Sequence, residues 1–372
     1  MRRCVAGLCT AVLVGAAASV AAAPVDASTT APAAFVCTPG TWVHQPANVL
    51  PSQGGGLLYA AAVSTPTLAW AVGYYEHTND VYGALIEKWT GGTSWSVVGT
   101  GGKNVVLADV AAFGANSAFA VGTIASGGGS GPEQPVVTHW NGSTWTRTII
   151  RLPSGSGAGG LVAVSGSSSS DVFAMGDYIL KGRVYLLVEH WNGSAWTQVT
   201  MPSSAKPNAE PLDVVSVGPG DMWMDGYTAS EVSRFWHYNG TWTLEATPPG
   251  LGPIAGTSDT NIWMVGRYSS SGTPLQHFNG SSWSSVDNNR NVNIVVSNLA
   301  LGASSSTVWS VGYNGATGGT ETVSIAKNGA PQTVPALTGS LNGIGTGSGL
   351  AFAVGNTNDI GTGVPIVLAS CD

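Results

Sequence analysis

The chain has 372 residues, a formal net charge of −7 and only 9% charged side chains. An average soluble domain has about 25% charged residues, yet the hydrophobic content of 43% is far above that of a disordered chain. The few basic residues leave no electrostatic surface for nucleic acid or for an anionic membrane. Abundant Gly, Ser, Thr, Val and Trp favour strands and turns over long helices. We therefore expect a folded, all-β protein that does not bind nucleic acid.

Residues 1–27 have the pattern of a secretory signal peptide. Two arginines form a basic start, an apolar run follows, and three alanines at 21–23 provide a small-residue cleavage site. An uncleaved membrane anchor is the alternative, because the uncharged run is long enough to span a bilayer. The many alanines make that run only weakly hydrophobic, which favours cleavage. We predict a secreted, extracellular protein with no membrane insertion after cleavage, a short linker at 28–36 and one domain at 37–372.

Export changes the expectation for the cysteines. Cys4 and Cys9 lie within the signal peptide, which leaves Cys37 and Cys371 at the two ends of the mature chain. Exported proteins usually fold where disulfides persist. We therefore predict that these two cysteines are bonded and that the ends of the chain meet.

A short apolar segment that ends in glycine recurs along the chain. Its copies are AWAVG (69–73), AFAVG (118–122), VFAMG (172–176), MWMDG (222–226), IWMVG (262–266), VWSVG (308–312) and AFAVG (351–355). Between them lies a second module, in which aromatic residues flank a glycine-containing turn, at 87–95, 138–145, 189–196, 236–242 and 276–283, with a degraded copy at 326–331. Consecutive final glycines are 40 to 54 residues apart. Such a period is typical of propeller blades.

Each repeat is predicted to form four strands. Two aromatic strands joined by a tight Asn-Gly turn make a β-hairpin, because these residues tolerate positive φ angles. The glycine-ended strand and the apolar run before it supply two more strands. Seven such units predict a seven-bladed β-propeller with four-stranded blades. The C-terminal unit has only three strands, and PGTW (39–42) matches NGTW (239–242), so the N-terminal strand at 41–46 is expected to close the last blade, with the disulfide at its hairpin tip.

The repeat resembles that of kelch and galactose-oxidase-like propellers over nearly the whole mature chain. In that family a strand ends in glycines, an aromatic residue follows on the third strand, and a Trp lies on the fourth. Gly176, Trp191 and Trp196 occupy those places here. This chain has one glycine where kelch has two, and it lacks the usual arginine between blades. The resemblance implies a propeller fold and a binding scaffold, not an activity. It does not extend to copper oxidase chemistry, because Cys37 and Cys371 are assigned to the disulfide.

The repeated aromatic and histidine residues have a structural interpretation. Thirteen of the 14 Trp fall in register, and only Trp236 does not; we predict that they pack blade against blade rather than stack on sugars. One histidine precedes the third-strand aromatic residue in four units, at His139, His190, His237 and His277. Because these lie on different blades, they cannot share one metal ion. We expect each to be a polar partner for a neighbouring blade or loop, and we predict no metal site.

A binding function is expected on the face that carries the longest connections, those between the second and third strands. The ligand-binding candidates there are Tyr74, Tyr75, Glu76, His77, Asp177, Tyr178, Arg183, Arg234, Arg267 and Tyr268. Their mix of aromatic and polar side chains, with Asn, Ser and Gly nearby, suits adaptable recognition.

Two acidic residues share an equivalent position on the innermost strand. Asp109 and Asp213 each lie 13 residues before the final glycine of their unit, which is expected to place them at the mouth of the central channel. Two carboxylates there could coordinate a cation such as Ca²⁺ or act in acid–base catalysis. Capping of backbone groups between blades is the favoured interpretation. Asp225 interrupts an otherwise apolar position and needs a partner. No cofactor is predicted.

Three functional hypotheses follow from the sequence. The leading one is a secreted, monomeric binding scaffold for an extracellular protein or polysaccharide, with no catalysis assigned. The alternative is a carbohydrate-active enzyme, a lyase or glycoside hydrolase, with Asp109 and Asp213 at the channel mouth. The third is a passive structural component of the cell envelope.

Overall fold

The computed structural model describes residues 35, 37–47, 55–77, 81–99, 102–125, 132–202, 205, 207–228, 232–245, 250–266, 274–286, 294–315, 321–357 and 363–372. Over these ranges the chain forms 28 β-strands and no helix. The strands assort into seven antiparallel sheets of four strands each, which we number as blades 1 to 7 in chain order. In the same ranges no helix has the length and apolar character needed to cross a membrane. The predicted signal peptide, 1–27, lies outside the described residues, as does nearly all of the predicted linker.

The first strand of the chain, β1 (Val43–Gln45), belongs to blade 7. Blades 1 to 3 consist of β2 (Gly55–Thr65), β3 (Leu68–His77), β4 (Val81–Trp89), β5 (Trp95–Gly99), β6 (Val105–Ala112), β7 (Ala118–Ala125), β8 (Glu133–Trp140), β9 (Trp145–Ile149), β10 (Ser156–Ser168), β11 (Asp171–Leu180), β12 (Arg183–Trp191) and β13 (Trp196–Gln198).

Blades 4 to 6 consist of β14 (Ala209–Gly218), β15 (Asp221–Thr228), β16 (Ser233–Tyr238), β17 (Trp242–Leu244), β18 (Gly250–Ser258), β19 (Asn261–Gly266), β20 (Leu275–Phe278), β21 (Trp283–Val286), β22 (Ile294–Leu301), β23 (Val308–Gly315), β24 (Glu321–Lys327) and β25 (Ala330–Pro331). Blade 7 contains β26 (Ser340–Gly347), β27 (Leu350–Asn356), β28 (Pro365–Cys371) and β1.

The blades are arranged in a ring. In blades 1 to 6 the four strands pair in chain order, so the first strand is innermost and the fourth is outermost. Each innermost strand contacts the innermost strands of the two neighbouring blades, and β26 contacts β2 to complete the circle. The protein is therefore a seven-bladed β-propeller, which confirms the predicted fold.

The ends of the chain close blade 7. Strand β1 pairs with β28, with Val43 opposite Ala369, and thus supplies the fourth strand that the C-terminal unit lacks. Cys37 and Cys371 form a disulfide with their Cα atoms 5.5 Å apart. Both the predicted strand closure and the predicted disulfide are confirmed.

A bulge in the innermost strand explains the recurring glycine in five of the blades. In blade 3 the pairing of β10 with β11 shifts by one residue after Leu161, and a Cβ atom on Gly176 would lie 1.9 Å from the carbonyl oxygen of Gly160. Gly73, Gly122, Gly312 and Gly355 face an equivalent carbonyl at 1.9–2.0 Å. Any larger residue would collide with the backbone. Glycine therefore recurs because two strands approach each other closely at this position.

The Asn-Gly segments form hairpins as predicted, with a different local geometry. Trp140 pairs with Trp145, which leaves a four-residue loop in which Gly142 has a φ of +95°. Asn141 contributes through its side chain: Oδ1 accepts hydrogen bonds from the backbone N–H groups of Ser143 and Thr144, both at 3.0 Å. This Asx turn places the positive φ angle on glycine alone.

The tryptophans pack between blades, as predicted. Trp70 of blade 1 lies 5.1 Å and 5.0 Å, between ring centroids, from Trp140 and Trp145 of blade 2. Trp42 of blade 7 contacts Trp309 of blade 6 at 5.3 Å. Trp236, the one Trp out of register, is also fully buried, in the cluster shared by blades 3 and 4. The core is thus a series of interfaces between adjacent blades.

Candidate functional site

The strand order defines two faces of the ring. The loop face carries the connections from the second to the third strand and from each blade to the next. The turn face carries the connections from the first to the second strand and from the third to the fourth. In blade 3, Leu180 and Arg183 pair at the loop face, whereas Trp191 and Trp196 pair at the turn face.

The innermost strands enclose a central channel with two cavities. The cavity nearer the loop face, of about 270 Å³, is lined largely by the bulge residues, among them Tyr59, Ala108, Val162, Leu212, Ser297 and Asn342. The second cavity, of about 380 Å³, is lined by residues further along the same strands, such as Ala60, Val110, Val164, Val214, Ile254 and Leu299. Asp109, Asp213 and Asn298 line both. These side chains therefore lie inside the channel, where the two cavities meet, and not at its mouth as predicted.

Asp109 ties blade 2 to blade 3. One carboxylate oxygen of Asp109 accepts a hydrogen bond from its neighbour Val110 N–H at 2.7 Å, and the other accepts one from Val164 N–H of blade 3 at 2.8 Å. The innermost strands of adjacent blades have no sheet pairing with each other. A carboxylate that accepts backbone N–H groups from both strands substitutes for that missing pairing.

Asp213 repeats this arrangement between blades 4 and 5. Its oxygens accept hydrogen bonds from Val214 N–H at 2.8 Å and from Ile254 N–H of blade 5 at 2.9 Å. Asp225, the charge that the sequence analysis expected to need a partner, accepts from Asp213 N–H at 3.0 Å and from Gly252 N–H at 3.3 Å. The favoured interpretation, capping between blades, matches this geometry.

Burial dominates the protonation of these carboxyls. Loss of water around Asp109 raises its pKa to about 6, although the hydrogen bonds from Val164 and Val110 oppose the shift. Burial, with a contribution from the charge of Asp109, raises the pKa of Asp213 to about 7. The pKa of Asp225 is raised well above its ordinary value by burial and by the neighbouring Asp213. Asp109 and Asp213 can therefore change protonation between mildly acidic and neutral pH, and Asp225 keeps its proton to a higher pH than an ordinary aspartate does.

Tyrosine and tryptophan occupy opposite halves of the blades. All 14 Trp lie in the turn-face halves of the blades, 13 of them on strands and Trp42 directly before β1. Of the tyrosines in the described residues, only Tyr238 lies there, whereas the others are in the loop-face halves of their strands, at Tyr59, Tyr74, Tyr75, Tyr82, Tyr178, Tyr185, Tyr227 and Tyr313. The turn-face half is therefore built for packing, and the loop face has aromatic rings with polar hydroxyl groups.

The first group of loop-face tyrosines surrounds Tyr74. Its ring lies 5.8 Å from Tyr59, which also lines the channel, and 5.3 Å from Tyr82, between centroids. Burial and the neighbouring acidic groups Tyr59, Glu76 and Tyr82 raise the pKa of Tyr74 to about 12. Tyr82 is 40% exposed. The three rings form a continuous rim on blade 1.

The second group lies on blades 3 and 4. Tyr178 stacks on Tyr185 with the ring centroids 5.5 Å apart. Asp177 lies beside them, and its pKa is raised by burial and by the charges of Glu210 and Glu133. The hydroxyl of Tyr227 donates a hydrogen bond to Glu210. An acidic patch thus adjoins the stacked tyrosines.

Several predicted ligand-binding residues lie on strands rather than in loops. Tyr74, Tyr75, Glu76 and His77 belong to β3, Asp177 and Tyr178 to β11, Arg183 to β12 and Arg234 to β16. In blade 3 the second and third strands are joined by only two residues, Lys181 and Gly182, both with positive φ. The prediction of a long connection there is wrong, because the pairing between β11 and β12 continues up to this two-residue turn.

Tyr75 is not available to a ligand. It is 4% exposed and packs in the core between blades 1 and 7, opposite Gly83, where a Cβ atom would lie 2.3 Å from its ring. Arg234 is half-buried, and its guanidinium donates to Ser233 O at 3.1 Å. Arg183 is exposed. The side chain of His77, and the whole of Arg267 and Tyr268, lie outside the described residues.

Five of the loop-face tyrosines were not among the predicted residues, namely Tyr59, Tyr82, Tyr185, Tyr227 and Tyr313. Tyr82 and Tyr185 lie near the start of third strands and pair with the second-strand residues Glu76 and Tyr178, respectively. A comparison of the positions of Tyr and Trp within each repeat would have found them, because tyrosines concentrate in the loop-face halves of the strands and tryptophans in the turn-face halves.

The repeated histidines have the polar partners that were predicted, but within their own blades. His139, His190, His237 and His277 contact Ser117, Asp171, Asp221 and Asn261, respectively, at the start of the second strand. Each imidazole also packs against the aromatic residue of that strand, with centroids 4.0–4.4 Å apart. The strand-to-strand pairing places both partners on one blade. His237 in addition lies 3.3 Å from Asp259 of blade 5, so for this histidine the predicted contact with a neighbouring blade is also present.

Comparison with solved structures supports the fold. YCF48 from Cyanidioschyzon merolae superimposes with a TM-score of 0.54 and 18% identity over 89% of this chain and 99% of that one. The GH74 xyloglucanase from Xanthomonas campestris superimposes with a TM-score of 0.54 and 14% identity, over 87% of this chain and 55% of the xyloglucanase. For the Trypanosoma rangeli sialidase the TM-score is 0.53 and the identity 10%, over 85% of this chain and 55% of the sialidase. The chain spans about half the length of these two enzymes.

No family model and no curated protein matches the chain. At identities below 20% the solved structures show a shared β-propeller architecture and no more. The kelch resemblance is therefore confirmed at the level of the propeller fold, while the structural neighbours are not kelch proteins in particular.

Proposed function

We propose that the protein is a secreted binding scaffold that recognises an extracellular polysaccharide or protein through its loop face. The concentration of tyrosines on that face carries the proposal. A tyrosine ring offers a large apolar surface with few rotatable bonds and a hydroxyl that can exchange hydrogen bonds. Tyr75 and Tyr178 contribute to the packing between blades. Tyr74, Tyr82 and Tyr185 do not belong to those clusters and are the residues expected of a recognition surface.

The position of these tyrosines on strands supports recognition by a rigid surface. Tyr74, Tyr178 and Tyr185 are held by the antiparallel ladders of their blades. Binding residues on rigid elements lose little conformational entropy when a ligand is bound. The adjoining cavity of about 270 Å³, lined in part by Tyr59, offers a concave centre for the same surface.

The channel carboxylates favour binding over catalysis. Each oxygen of Asp109 and Asp213 accepts a backbone N–H group, so these side chains already have a structural task. An enzyme that used this pair would break contacts between blades during its cycle. The lyase or glycoside hydrolase alternative is therefore tested in the same experiment as binding.

The test measures binding of the oxidised protein, recovered from the medium of a secreting host, to an array of glycans and envelope polysaccharides, with Ca²⁺ and with chelator. We expect saturable binding that falls at least tenfold in Tyr82→Ala and Tyr185→Ala. Ile149→Ala is the matched control, because Ile149 is 48% exposed on an outer strand. Identification of the N-terminal residue of the recovered chain tests signal cleavage.

Each other outcome has a definite meaning. Binding that survives both tyrosine substitutions contradicts recognition through the loop face. Conversion of a bound glycan, lost in Asp109→Ala while the fold persists, supports the enzyme. A blank array with folded protein rejects glycan recognition and leaves extracellular proteins as the ligand class to test.

A further inference from the structure

Three potential metal ligands meet on the turn face between blades 4 and 5. Asp221 begins β15, His237 lies on β16 of the same blade, and Asp259 lies in the turn between β18 and β19 of blade 5. His237 Nε2 is 2.8 Å from Asp221 Oδ1 and 3.3 Å from Asp259 Oδ1. One ligand atom from each of the three residues lies within 4.8 Å of the others. A single imidazole nitrogen therefore faces two carboxylates from two blades.

The separation of His237 from Asp259 suits a shared cation, and the hydrogen-bonded separation from Asp221 would lengthen by about 0.5 Å when an ion replaces the proton. Zinc binds imidazole nitrogen and carboxylate oxygen at about 2.0–2.2 Å with tetrahedral angles, which puts neighbouring ligand atoms about 3.3–3.5 Å apart. A neutral imidazole has one proton at most on Nε2, so it can make only one full hydrogen bond there. The second carboxylate lies close to the first, and the hydrogen bond that it accepts from the indole N–H of Trp223 offsets only part of their repulsion. A divalent ion in place of that proton would offset it.

Trp223 positions two of the three ligands. Its ring stacks on the imidazole of His237 with centroids 4.1 Å apart and an interplanar angle of 7°. Its indole N–H donates a hydrogen bond to Asp259 Oδ1 at 2.7 Å. Such outer contacts fix the orientation of ligands in metal sites. The side chain of His237 is 12% exposed and that of Asp259 is 48% exposed, so the site is formed on one side and open to solvent on the other.

Within the described residues, the other blades with this histidine lack the full set. In blade 3 the Asp171–His190 pair is present at 2.6 Å, but the second oxygen of Asp171 accepts from Gly220 N–H at 3.1 Å, and no further carboxylate joins them. Blade 2 has Ser117 in the acidic position and blade 5 has Asn261. Among the residues that the structure describes, the neighbouring blade supplies a third ligand only at the boundary of blades 4 and 5.

We propose that Asp221, His237 and Asp259 bind one divalent transition-metal ion, with zinc the best fit, and thereby join blade 4 to blade 5. The prediction of no metal site rested on histidines of different blades, which cannot share an ion. This cluster needs one histidine and takes its second carboxylate from the next blade. The remaining coordination position faces solvent through the exposed side of Asp259.

The experiment titrates zinc chloride into untagged, metal-free, oxidised protein by calorimetry and follows cobalt binding by its visible absorption, which is intense only in tetrahedral sites. We expect one ion per chain. His237→Gln and Asp259→Asn should each weaken zinc binding more than tenfold. Trp223→Phe retains an aromatic ring over the imidazole but loses the hydrogen bond to Asp259, and is expected to weaken binding about 10–100-fold.

The matched control is His190→Gln, which removes the equivalent imidazole in the blade without a third carboxylate and should leave the affinity unchanged. Circular dichroism and thermal melting without metal establish that each variant is folded. Absence of zinc binding by folded wild-type protein overturns the proposal. So does binding that is unchanged in Asp259→Asn, or that is lost equally in His190→Gln.

Discussion

Asp109 and Asp213 show how one side chain can hold two blades together. The innermost strands of neighbouring blades approach each other without a shared hydrogen-bond ladder, so their N–H groups need acceptors. At the blade 2–3 and blade 4–5 boundaries, a carboxylate supplies them for one residue of its own strand and one of the next. Asn298 lines the same part of the channel in blade 6, so an amide is also compatible with this location.

Replacement of Asp109 by alanine is expected to destabilise the propeller. The change leaves the N–H groups of Val110 and Val164 without their acceptor, at a cost of about 1–3 kcal/mol. The free energy of unfolding, measured by denaturant titration, should fall accordingly. Asp177→Ala is the control, because this carboxyl is crowded by the charges of Glu210 and Glu133 and its loss should be neutral or slightly stabilising. Equal stability of Asp109→Ala and wild type would contradict the structural role.

The same carboxyls predict a pH dependence of stability. Because folding raises the pKa of Asp109 to about 6 and that of Asp213 to about 7, the native chain keeps protons that the unfolded chain releases near pH 4. Their contribution to the free energy of unfolding is therefore largest near pH 4 and declines as the pH rises to about 7. His139 and His277, whose pKa values are lowered by burial, act in the opposite direction.

A comparison of variants separates the two effects. Asp213→Asn cannot titrate, so its unfolding free energy should decline less between pH 5 and pH 8 than that of the wild type. The measurement is a series of denaturant titrations across this range for both proteins. The histidine contribution is common to both and cancels in the difference. Identical slopes would show that the Asp213 carboxyl does not titrate in this window.

At the scale of the strand, the glycine that recurs in the second strands is the element most open to test. Gly176→Ala would place a methyl group 1.9 Å from the carbonyl oxygen of Gly160, so the bulge or the ladder must shift. We expect a loss of at least about 2 kcal/mol in the free energy of unfolding, within the range for overpacked sites.

Gly157→Ala is the matched control for that change. Gly157 lies in the partner strand of the same blade, has no positive φ, and has open space where the Cβ atom would lie. Its replacement should change stability by no more than about 0.5 kcal/mol. A similar, small effect of both substitutions would show that the bulge carbonyl can move away at little cost.

The sequence predicted the blades well and their surfaces less well, for physical reasons. Seven glycines and the aromatic hairpins define the strands, because backbone contact and core packing leave few alternatives at those positions. Whether the side chain of a strand residue is buried depends in part on the residue that pairs with it. Tyr75 is buried because Gly83 opposite leaves room for its ring. The cluster of Asp221, His237 and Asp259 depends on how blades 4 and 5 are placed relative to each other. The spacing of these residues along the chain does not show that placement.

On the scale of the whole molecule, closure of the ring depends on a short N-terminal segment. Strand β1 is only three residues long, yet this segment contacts three blades. Trp42 packs on Trp309 of blade 6, and Gln45 accepts a hydrogen bond from the indole of Trp95 of blade 1 at 3.0 Å. The disulfide from Cys37 to Cys371 fixes it to blade 7. Loss of this attachment should open blade 7 at its outer edge.

The double variant Cys37→Ser, Cys371→Ser is therefore expected to be markedly less stable than the oxidised wild type. The bond joins residues 334 positions apart, and the loss of chain entropy in the unfolded state for so long a loop corresponds to at most about 6 kcal/mol. Denaturant titration with and without reductant measures the effect. The free energy of unfolding of the variant should not change when reductant is added, and that of the reduced wild type should equal that of the variant.

Hydrogen exchange at the outer edge of blade 7 is an independent test of the same prediction. If the disulfide holds β1 in place, amide hydrogens shared by β1 and β28 should exchange faster in the double variant, while those between β11 and β12 of blade 3 keep their protection until global unfolding. Equal exchange at both edges, with equal stability, would mean that the contacts of Trp42 and Gln45 hold the ring closed by themselves. The disulfide would then secure a closure that packing already achieves.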